Sequence, residues 1–319
     1  MSAVVVTGTG LLSPVASSPA ELLAANADES PPGPQAWFDP VTLLGRRGWK
    51  YLSPATRYLL GATVLALADA RLEPAGLPDE SMGVVVGTNF AARPVVARID
   101  ETVITEGAHM LSPAEAPNFS VNVAASAISM RYGMRAFNLS LTNPMVAGLE
   151  SVLILAASIG RGRAELGLAG ATEESPIPAS AGDGACCFVL ETVDGADRRG
   201  ATGQARVAGG FSRFIPPGGD MRAVRGPLTR LLASTETGQV PHVVVGQGDL
   251  ASSVEDLAER SAADAGISLA RRGFAGADGR YFTVSPMLQM AGLIATERQG
   301  VVIAVSPHGN LAALRLARW

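Results

Sequence analysis

Short apolar runs recur along this chain, and segments with helical spacing of apolar residues separate them. Runs of four to eight apolar residues bounded by glycine or polar turns are typical of strands buried on both faces. Apolar residues at every third or fourth position predict helices between them. In the first half, strands are predicted at 4–6, 82–86, 136–141, 165–171 and 186–191, with helices at 54–70, 117–132 and 145–159.

The second half of the chain repeats this alternation. Strands are predicted at 205–212, 242–245, 283–284, 301–305 and 312–316, with helices at 254–265 and 286–297. A polar stretch at 194–203 separates the two halves, so we expect an N-terminal half at 1–195 and a C-terminal half at 204–319. Helices that alternate with buried strands predict an α/β protein built as a layered sandwich.

The charge and hydropathy of the chain exclude several classes of function. The 319 residues carry a net charge of −4, which argues against a surface that binds nucleic acid. No apolar run reaches the roughly 18–20 residues that span a bilayer. The first residues lack the basic region of a signal peptide. We therefore expect a cytoplasmic protein without nucleic-acid or membrane partners.

The few cysteines and histidines argue against a metal centre. Cys186 and Cys187 are adjacent in a predicted buried strand, where a disulfide between neighbours would be strained. We interpret them as small core residues. With only three histidines in the chain, a zinc site has few ligands to draw on, and we expect neither metal nor cofactor.

A glycine-containing segment, Gly8-Thr9-Gly10, follows the first predicted strand and predicts a tight turn. The alternative is a loop that binds a dinucleotide. That motif needs a third glycine three residues further on, which GTGLLS lacks, so the turn is preferred.

The order of these motifs resembles the β-ketoacyl synthase family. The matching segments are VVVTGTGLLSP at the start, ALADARL, VVVGT, residues 117–150, LGLAGATEE, DGACCFVLE and the C-terminal SPHGNLAALRL. The resemblance is good over 1–195 and patchy over 200–300. It implies a thiolase-like fold, in which two similar halves form an αβαβα sandwich, here with a shortened C-terminal half.

The chemistry of that family depends on a cysteine at a helix start and on two histidines, and this sequence has none of the three. The resemblance places Met145 at the cysteine position and Gln247 at the first histidine, while 285–292 contains no histidine. A thioether cannot form a thioester, and an amide does not exchange protons at neutral pH. We therefore expect no catalytic residue.

The resemblance then points to the chain-length factors of type II polyketide synthases, which pair with an active ketosynthase and receive chains carried by acyl carrier protein on phosphopantetheine. It implies a heterodimer in which strand 136–141, with Phe137 and Leu139, meets the partner. Candidate tunnel residues on helix 117–132 are Asn118, Phe119 and Asn122. Met145 departs from the glutamine usual in aromatic systems and favours a polyene-forming one.

Two alternatives remain open at this point. One is a stand-alone enzyme that acts on acyl-carrier thioesters, as a decarboxylase or acyltransferase, with Gln247 or the terminal loop His308-Gly309-Asn310 assisting. The other is a homodimeric scaffold that binds acyl chains without chemistry.

Overall fold

A computed structural model of the chain describes residues 2–25, 37–73, 79–114, 116–175, 182–218, 220–235 and 238–319. Within these residues ten strands form one hydrogen-bonded sheet in the order β3-β2-β4-β5-β1-β6-β10-β9-β7-β8. The strands are β1 (Val4–Leu12), β2 (Met82–Gly87), β3 (Phe137–Leu141), β4 (Leu166–Glu173), β5 (Gly184–Thr192), β6 (Ala205–Phe214), β7 (Gln239–Val245), β8 (Ser268–Arg271), β9 (Gly300–Val305) and β10 (Asn310–Ala317).

This strand order is the same in both halves when each is read from its outer edge. From its outer edge inwards the first half has the order β3-β2-β4-β5-β1, and the second half has the order β8-β7-β9-β10-β6. In each half these are the third, second, fourth, fifth and first strands along the chain. The two half-sheets are joined by antiparallel pairing of β1 with β6 over three residues, Val4–Val6. The repeat in the sequence therefore corresponds to a repeat in strand topology.

The helices form three layers that enclose the two half-sheets. α6 and α10 lie between the half-sheets and contact strands of both, and the largest core cluster is centred there. α3 and α5 cover the outer face of the first half, and α8 and α9 cover that of the second. The helices are α1 (Pro19–Ala24), α2 (Pro40–Leu44), α3 (Pro54–Asp69), α4 (Arg93–Thr105), α5 (Val123–Tyr132), α6 (Ala147–Gly160), α7 (Val193–Arg198), α8 (Arg222–Ala233), α9 (Gly248–Asp264) and α10 (Val284–Thr296).

This arrangement confirms the predicted αβαβα sandwich. Local sequence explains several elements directly. The side chain of Ser53 accepts a hydrogen bond from the Thr56 amide, and Pro54 occupies the first turn of α3. α10 is buried from Val284 to Ile294 because it is apolar around almost its whole circumference.

The prediction of a turn at Gly8-Thr9-Gly10 is wrong, because all three residues continue β1. These glycines instead let α3 pack closely on the strand. A Cβ on Gly8 would lie 2.2 Å from the carbonyl oxygen of Ala66, and one on Gly10 would lie 2.0 Å from that of Ala62. The alternative, a loop that binds a dinucleotide, is wrong as well, because these residues are part of a strand.

The predicted helix 117–132 begins later than expected. Its first residues form a 3-10 turn, Ala116–Phe119, and α5 starts only at Val123. The Ser120 hydroxyl donates to Asn122 Oδ1, a local hydrogen bond that competes with helix continuation. α5 belongs to the outer layer and not to the centre of the molecule.

Other predictions change in detail. Residues 283–284 are not a strand, because they begin α10. The polar stretch 194–203 contains most of α7, capped by Thr192, and the boundary between 1–195 and 204–319 stays a prediction. Residues 91–115 and 213–240, for which the sequence indicates no clear element, contain α4 and α8. Among the described residues, no helix is long and apolar enough to cross a bilayer.

Candidate functional site

The candidate site lies where parallel strands of the first half end. β2 pairs in parallel with both β3 and β4, so their carboxyl ends meet at one edge of the sheet. Met145 lies at this edge, in the turn that joins β3 to α6. It is 7% exposed and has φ +65°. A positive φ at a non-glycine residue is strained and is retained only where the surroundings impose it.

Met145 and Gln247 lie together, against the same glycine. Gly279 has φ +81°, and a Cβ there would lie 2.7 Å from Met145 Cε and 4.0 Å from Gln247 Cγ. Gln247 follows β7 and donates from Nε2 to the Asp278 carbonyl at 2.9 Å. The structure thus brings together the two residues that the resemblance places at catalytic positions. Neither a thioether nor this hydrogen-bonded amide offers an ionisable proton at neutral pH.

The third position of the site is the turn before α10. Thr283 precedes the helix, is fully buried and donates its hydroxyl hydrogen to Glu173 Oε1 at 2.6 Å. Its carbonyl oxygen would lie 2.2 Å from a Cβ on Gly148, so the starts of α6 and α10 are in close contact. The residue that leads into this helix is therefore a threonine and not a histidine.

Glu173 is a fully buried carboxylate at the end of β4. It accepts hydrogen bonds from the amides of Asn89 and Phe90 at 2.9 and 2.8 Å. Burial raises its pKa to about 7, although the hydrogen bonds from Thr283 and from these amides oppose the shift. The sequence alone did not single out this residue. A glutamate inside an otherwise apolar strand was the available signal.

Two phenylalanines meet beside this carboxylate. The rings of Phe90 and Phe282 are 4.6 Å apart between centroids and inclined by 66°. Phe282 has φ +48°, so two of the four described non-glycine residues with positive φ lie at this site. The sequence gives no indication of this pair, because the residues are far apart in the chain and belong to different loops.

A second buried carboxylate fixes the turn that holds Met145. Glu150, 7% exposed in the first turn of α6, accepts a hydrogen bond from Asn143 Nδ2 at 2.7 Å. It also accepts one from the Ser212 hydroxyl on β6 at 2.6 Å. The turn is therefore anchored to the second half of the molecule as well as to its own helix.

The cysteines cannot replace the missing nucleophile. Both are fully buried in β5, and burial raises the pKa of Cys187 to about 12 and that of Cys186 well above its usual range. Of the histidines, His242 is buried against Glu255 at 2.6 Å, and His308 is exposed. In the part of the chain that the structure describes, no group of three or more His, Cys, Asp or Glu could hold a metal.

The residues predicted to line a tunnel or interface have different environments. Asn118 is buried and donates from Nδ2 to the Tyr51 carbonyl at 2.6 Å, and Asn122 is exposed. Phe119 and Leu139 are exposed by 58% and 41%. Phe137 is half-buried, and its ring packs so closely on Gly83 that a Cβ there would lie 2.4 Å from Phe137 Cζ. The placement of Asn118 and Phe119 on a helix was wrong, since both precede α5.

The predicted terminal loop is a tight turn between β9 and β10. Gly309 has φ +96°, and its carbonyl accepts a hydrogen bond from the Ile215 amide at 2.8 Å. The Ser306 hydroxyl oxygen accepts from the amides of His308 and Asn310 at 3.3 and 3.1 Å. Among the described residues, no hydrogen bond connects this turn with Met145 or Gln247.

The fold and the turn at Met145 define a ketosynthase-like protein of the thiolase-like class. The family profile described as Beta-ketoacyl synthase, N-terminal domain, matches residues 33–192, half of the chain. The chain belongs to this family, and the resemblance seen in the sequence is confirmed.

Curated relatives of the chain include 3-oxoacyl-[acyl-carrier-protein] synthases and a polyketide β-ketoacyl synthase. It is 23% identical over 255 residues to 3-oxoacyl-[acyl-carrier-protein] synthase 2 of Coxiella burnetii, covering 65% of this chain and 62% of the relative. It is 29% identical over 176 residues to an actinorhodin polyketide β-ketoacyl synthase 2 of Streptomyces coelicolor, covering 50% of this chain and 43% of the relative. The chain thus spans less than two thirds of the length of these relatives.

Solved structures share the fold over the whole chain. AntDE:AntF, a type II polyketide synthase acyl-carrier protein in complex with its ketosynthase, aligns with a TM-score of 0.85 at 20% identity, covering 100% of this chain and 99% of that chain. The ishigamide ketosynthase/chain length factor aligns with a TM-score of 0.74 at 21% identity, covering 99% of each. At these identities the similarity shows the fold alone.

Proposed function

We propose that this chain is a non-catalytic, chain-length-factor-like subunit that pairs with an active ketosynthase and controls polyketide elongation. The observation that carries this proposal is Met145. It occupies the strained turn between β3 and α6, where the family places its nucleophile, and it has no reactive group.

The surroundings of Met145 support a role without chemistry. Condensation needs donors that stabilise the enolate formed from a malonyl thioester. The Gln247 amide already donates to Asp278, and the Thr283 hydroxyl already donates to Glu173. Both groups thus have a structural partner within this chain, and neither exchanges protons at neutral pH as a histidine does.

The edge of the sheet supports pairing with another subunit. Among the described strands β3 pairs only with β2, so its other edge is open. An open apolar edge favours strand addition from another chain. Exposed apolar side chains lie on β3, on α5 and in the segment before α5, namely Leu139, Met130, Phe119 and Val121. We propose that a partner subunit covers these side chains. We propose that the active ketosynthase binds here and that acyl carrier protein delivers its phosphopantetheine-bound chain to that partner.

Co-expression with the candidate ketosynthase tests this proposal. Native mass measurement should give a 1:1 complex, and incubation with an acyl-carrier thioester should acylate only the partner. The Met145→Leu variant conserves volume and should keep both complex and product. Turnover by the lone chain that Gln247→Ala abolishes would support the stand-alone enzyme, and a homodimer without affinity for the ketosynthase would support the scaffold.

We propose further that the product is a polyene chain. The support is Met145, where the resemblance to aromatic systems implies glutamine. Mass analysis of the products that the reconstituted complex releases would contradict this if they were unreduced aromatic polyketides.

A further inference from the structure

A cavity in the second half of the molecule is lined by positive charge. It has a volume of about 230 Å³ and lies where β7 and β9 begin, at the end of β7 opposite to Gln247. Three arginines line it, namely Arg206 at the start of β6, Arg315 near the end of β10 and Arg318 directly after β10. None of the described residues that line it is a carboxylate. The cavity is therefore cationic, in a chain whose net charge is −4.

The pairing of β6 with β10 brings these arginines to one cavity. Arg206 lies opposite Ala317, the residue that precedes Arg318. The register shifts between Arg315 and the next residue, so Ala208 is skipped in the ladder, and Arg315 Nη2 donates to its carbonyl at 3.4 Å. A β-bulge of this kind re-aims a side chain. The bulge therefore helps to hold Arg315 at the wall of the cavity.

The polar side chains around the cavity can donate hydrogen bonds to a ligand. Arg206 and Arg318 are exposed, and in the part of the chain that the structure describes neither forms an ion pair or a side-chain hydrogen bond. Arg315 is half-buried. The amide side chains of Gln239 and Gln299 complete the lining, and each carries two N–H donors. An anion that enters the cavity would meet donors of two kinds.

The end of α8 reaches the same cavity without opposing an anion strongly. The last carbonyls of a helix carry partial negative charge. Here the Ser234 hydroxyl donates to the Leu231 carbonyl and the Thr235 hydroxyl donates to the Leu232 carbonyl, each at 2.7 Å. These bonds satisfy two of the carbonyls that a helix end leaves open. Recognition of a ligand is then left to the arginine and glutamine side chains.

A larger cavity beside α9 and β8 also contains arginines, but its charge is balanced. Its volume is about 630 Å³, and Glu255, Asp256 and Glu259 contribute to its lining. Arg280, which lines it as well, forms an ion pair of 2.7 Å with Asp278. Positive charge is therefore neutralised within this larger cavity, and the smaller one is better suited to an anion.

We propose that the cavity lined by Arg206, Arg315 and Arg318 binds a diphosphate group. The planar guanidinium group donates forked hydrogen bonds to phosphate oxygens, and the oxygens of a diphosphate can accept from several such groups at once. A single carboxylate is satisfied by one guanidinium fork, so three arginines around one cavity favour the diphosphate.

The size of the cavity supports a small ligand group. Sites for drug-sized ligands enclose roughly 300–1,000 Å³, and this cavity is smaller. It therefore suits the diphosphate group itself, with any attached organic group outside. The proposal goes beyond the proposed function and does not depend on Met145.

Calorimetric titration of the full-length chain with inorganic diphosphate tests the site. We expect saturable binding by the parent chain. Arg206→Gln and Arg318→Gln should each weaken it about tenfold, because each removes charge-assisted hydrogen bonds. Both variants should fold as the parent does, since the two side chains are exposed. The matched control is Arg213→Gln, which removes the same charge from the other end of β6 and should change the affinity less than about twofold.

Two further ligands define the chemistry that is recognised. Citrate carries several negative charges on carboxylates alone, and we expect it to bind at least about tenfold more weakly than diphosphate. Adenosine diphosphate distinguishes the two sources of the group. Tighter binding of adenosine diphosphate would assign the site to a diphosphate that is attached to an organic group, and weaker or equal binding would assign it to the free anion.

Three results would overturn the proposal. The parent chain could lack saturable binding of diphosphate, Arg206→Gln and Arg318→Gln could bind it as tightly as Arg213→Gln, or citrate could bind as tightly as diphosphate. None of these results bears on pairing with a ketosynthase, which native mass measurement reports separately.

Discussion

The two outer edges of the sheet differ, although the internal repeat makes them equivalent. β3 and β8 are each the third strand of their half, and each pairs in parallel with one neighbour. β3 exposes Leu139 in its middle, whereas the exposed residues of β8 are Ser268 and Arg271 at its ends. Short strands with charged residues resist edge-to-edge association, and apolar edges invite it. The proposed partner therefore binds at the β3 edge, and the β8 edge should resist association.

The largest effect should come from a charge on the apolar edge. Leu139→Lys places an ammonium group in the proposed interface, where it would be desolvated without a partner. We expect the affinity for the ketosynthase subunit to fall about a thousandfold, or about 4 kcal/mol, by calorimetric titration. The equivalent change at the other edge, Ser268→Lys, should alter the affinity less than threefold. Equal losses from both variants would remove the distinction between the edges.

A second large effect concerns the pH dependence of the first half. The pKa of Glu173 is raised from 4.5 to about 7 in the folded chain, so the folded state binds a proton that the unfolded state has released between these values. Stability is then fully present below about pH 4.5 and falls as the pH rises towards 7. A shift of this size corresponds to about 3 kcal/mol.

Glu173→Gln should remove this dependence, because the amide does not titrate. The free energy of unfolding in urea, measured from pH 5 to pH 8 at fixed protein concentration, should have a flatter slope than in the parent chain. Glu106→Gln is the control, since Glu106 is exposed after α4 and should keep the parental slope. The same slope in the parent chain and in Glu173→Gln would show that this carboxyl is ionised throughout.

The sequence predicted the helices and strands of the layers more accurately than the residues that meet at the candidate site. Buried strands and capped helices are local signals, which is why α3 and α10 were found close to their true bounds. The role of Gly8 could not be found in this way, because it depends on a helix carbonyl that arrives only with tertiary packing. Met145 and Gln247 were identified through their motifs. Glu173 and the aromatic pair were missed, since the loop after β2, the end of β4 and the turn before α10 must meet before their contacts exist.

A third prediction concerns a substitution that should make the β8 edge apolar, as the β3 edge is. Arg271 is 74% exposed in its side chain and lies 4.0 Å from Glu255, so it contributes charge to the β8 edge with little structural cost. Arg271→Leu should make this edge apolar and cause concentration-dependent self-association, visible as an increase in mass by light scattering. Arg271→Gln, which stays polar, should remain at the parental mass. Self-association of both variants would point to loss of the Glu255 contact and not to the edge.

The smallest expected effect is in the second half of the molecule, where stability should change with pH in the opposite direction to that expected from Glu173 in the first half. His242 lies 2.6 Å from Glu255, and its hydrogen bond, together with the charges of His242 and Arg271, lowers the pKa of the Glu255 carboxyl against the opposing effect of burial. A carboxyl whose pKa is lower in the folded chain stabilises the fold at pH values above its unfolded pKa of 4.5. This contribution is lost as the pH falls through the folded pKa.

Glu255→Gln should therefore reduce the free energy of unfolding at pH 6 and leave it nearly unchanged at the lowest pH. Glu173→Gln should also have its smallest effect at the lowest pH, where the parent carboxyl is protonated. Urea unfolding of both variants over a range extended well below pH 4.5 should show the loss of the acid slope in Glu255→Gln and of the neutral slope in Glu173→Gln. If Glu255→Gln instead kept the acid slope of the parent chain, the lowered pKa of the Glu255 carboxyl would be contradicted.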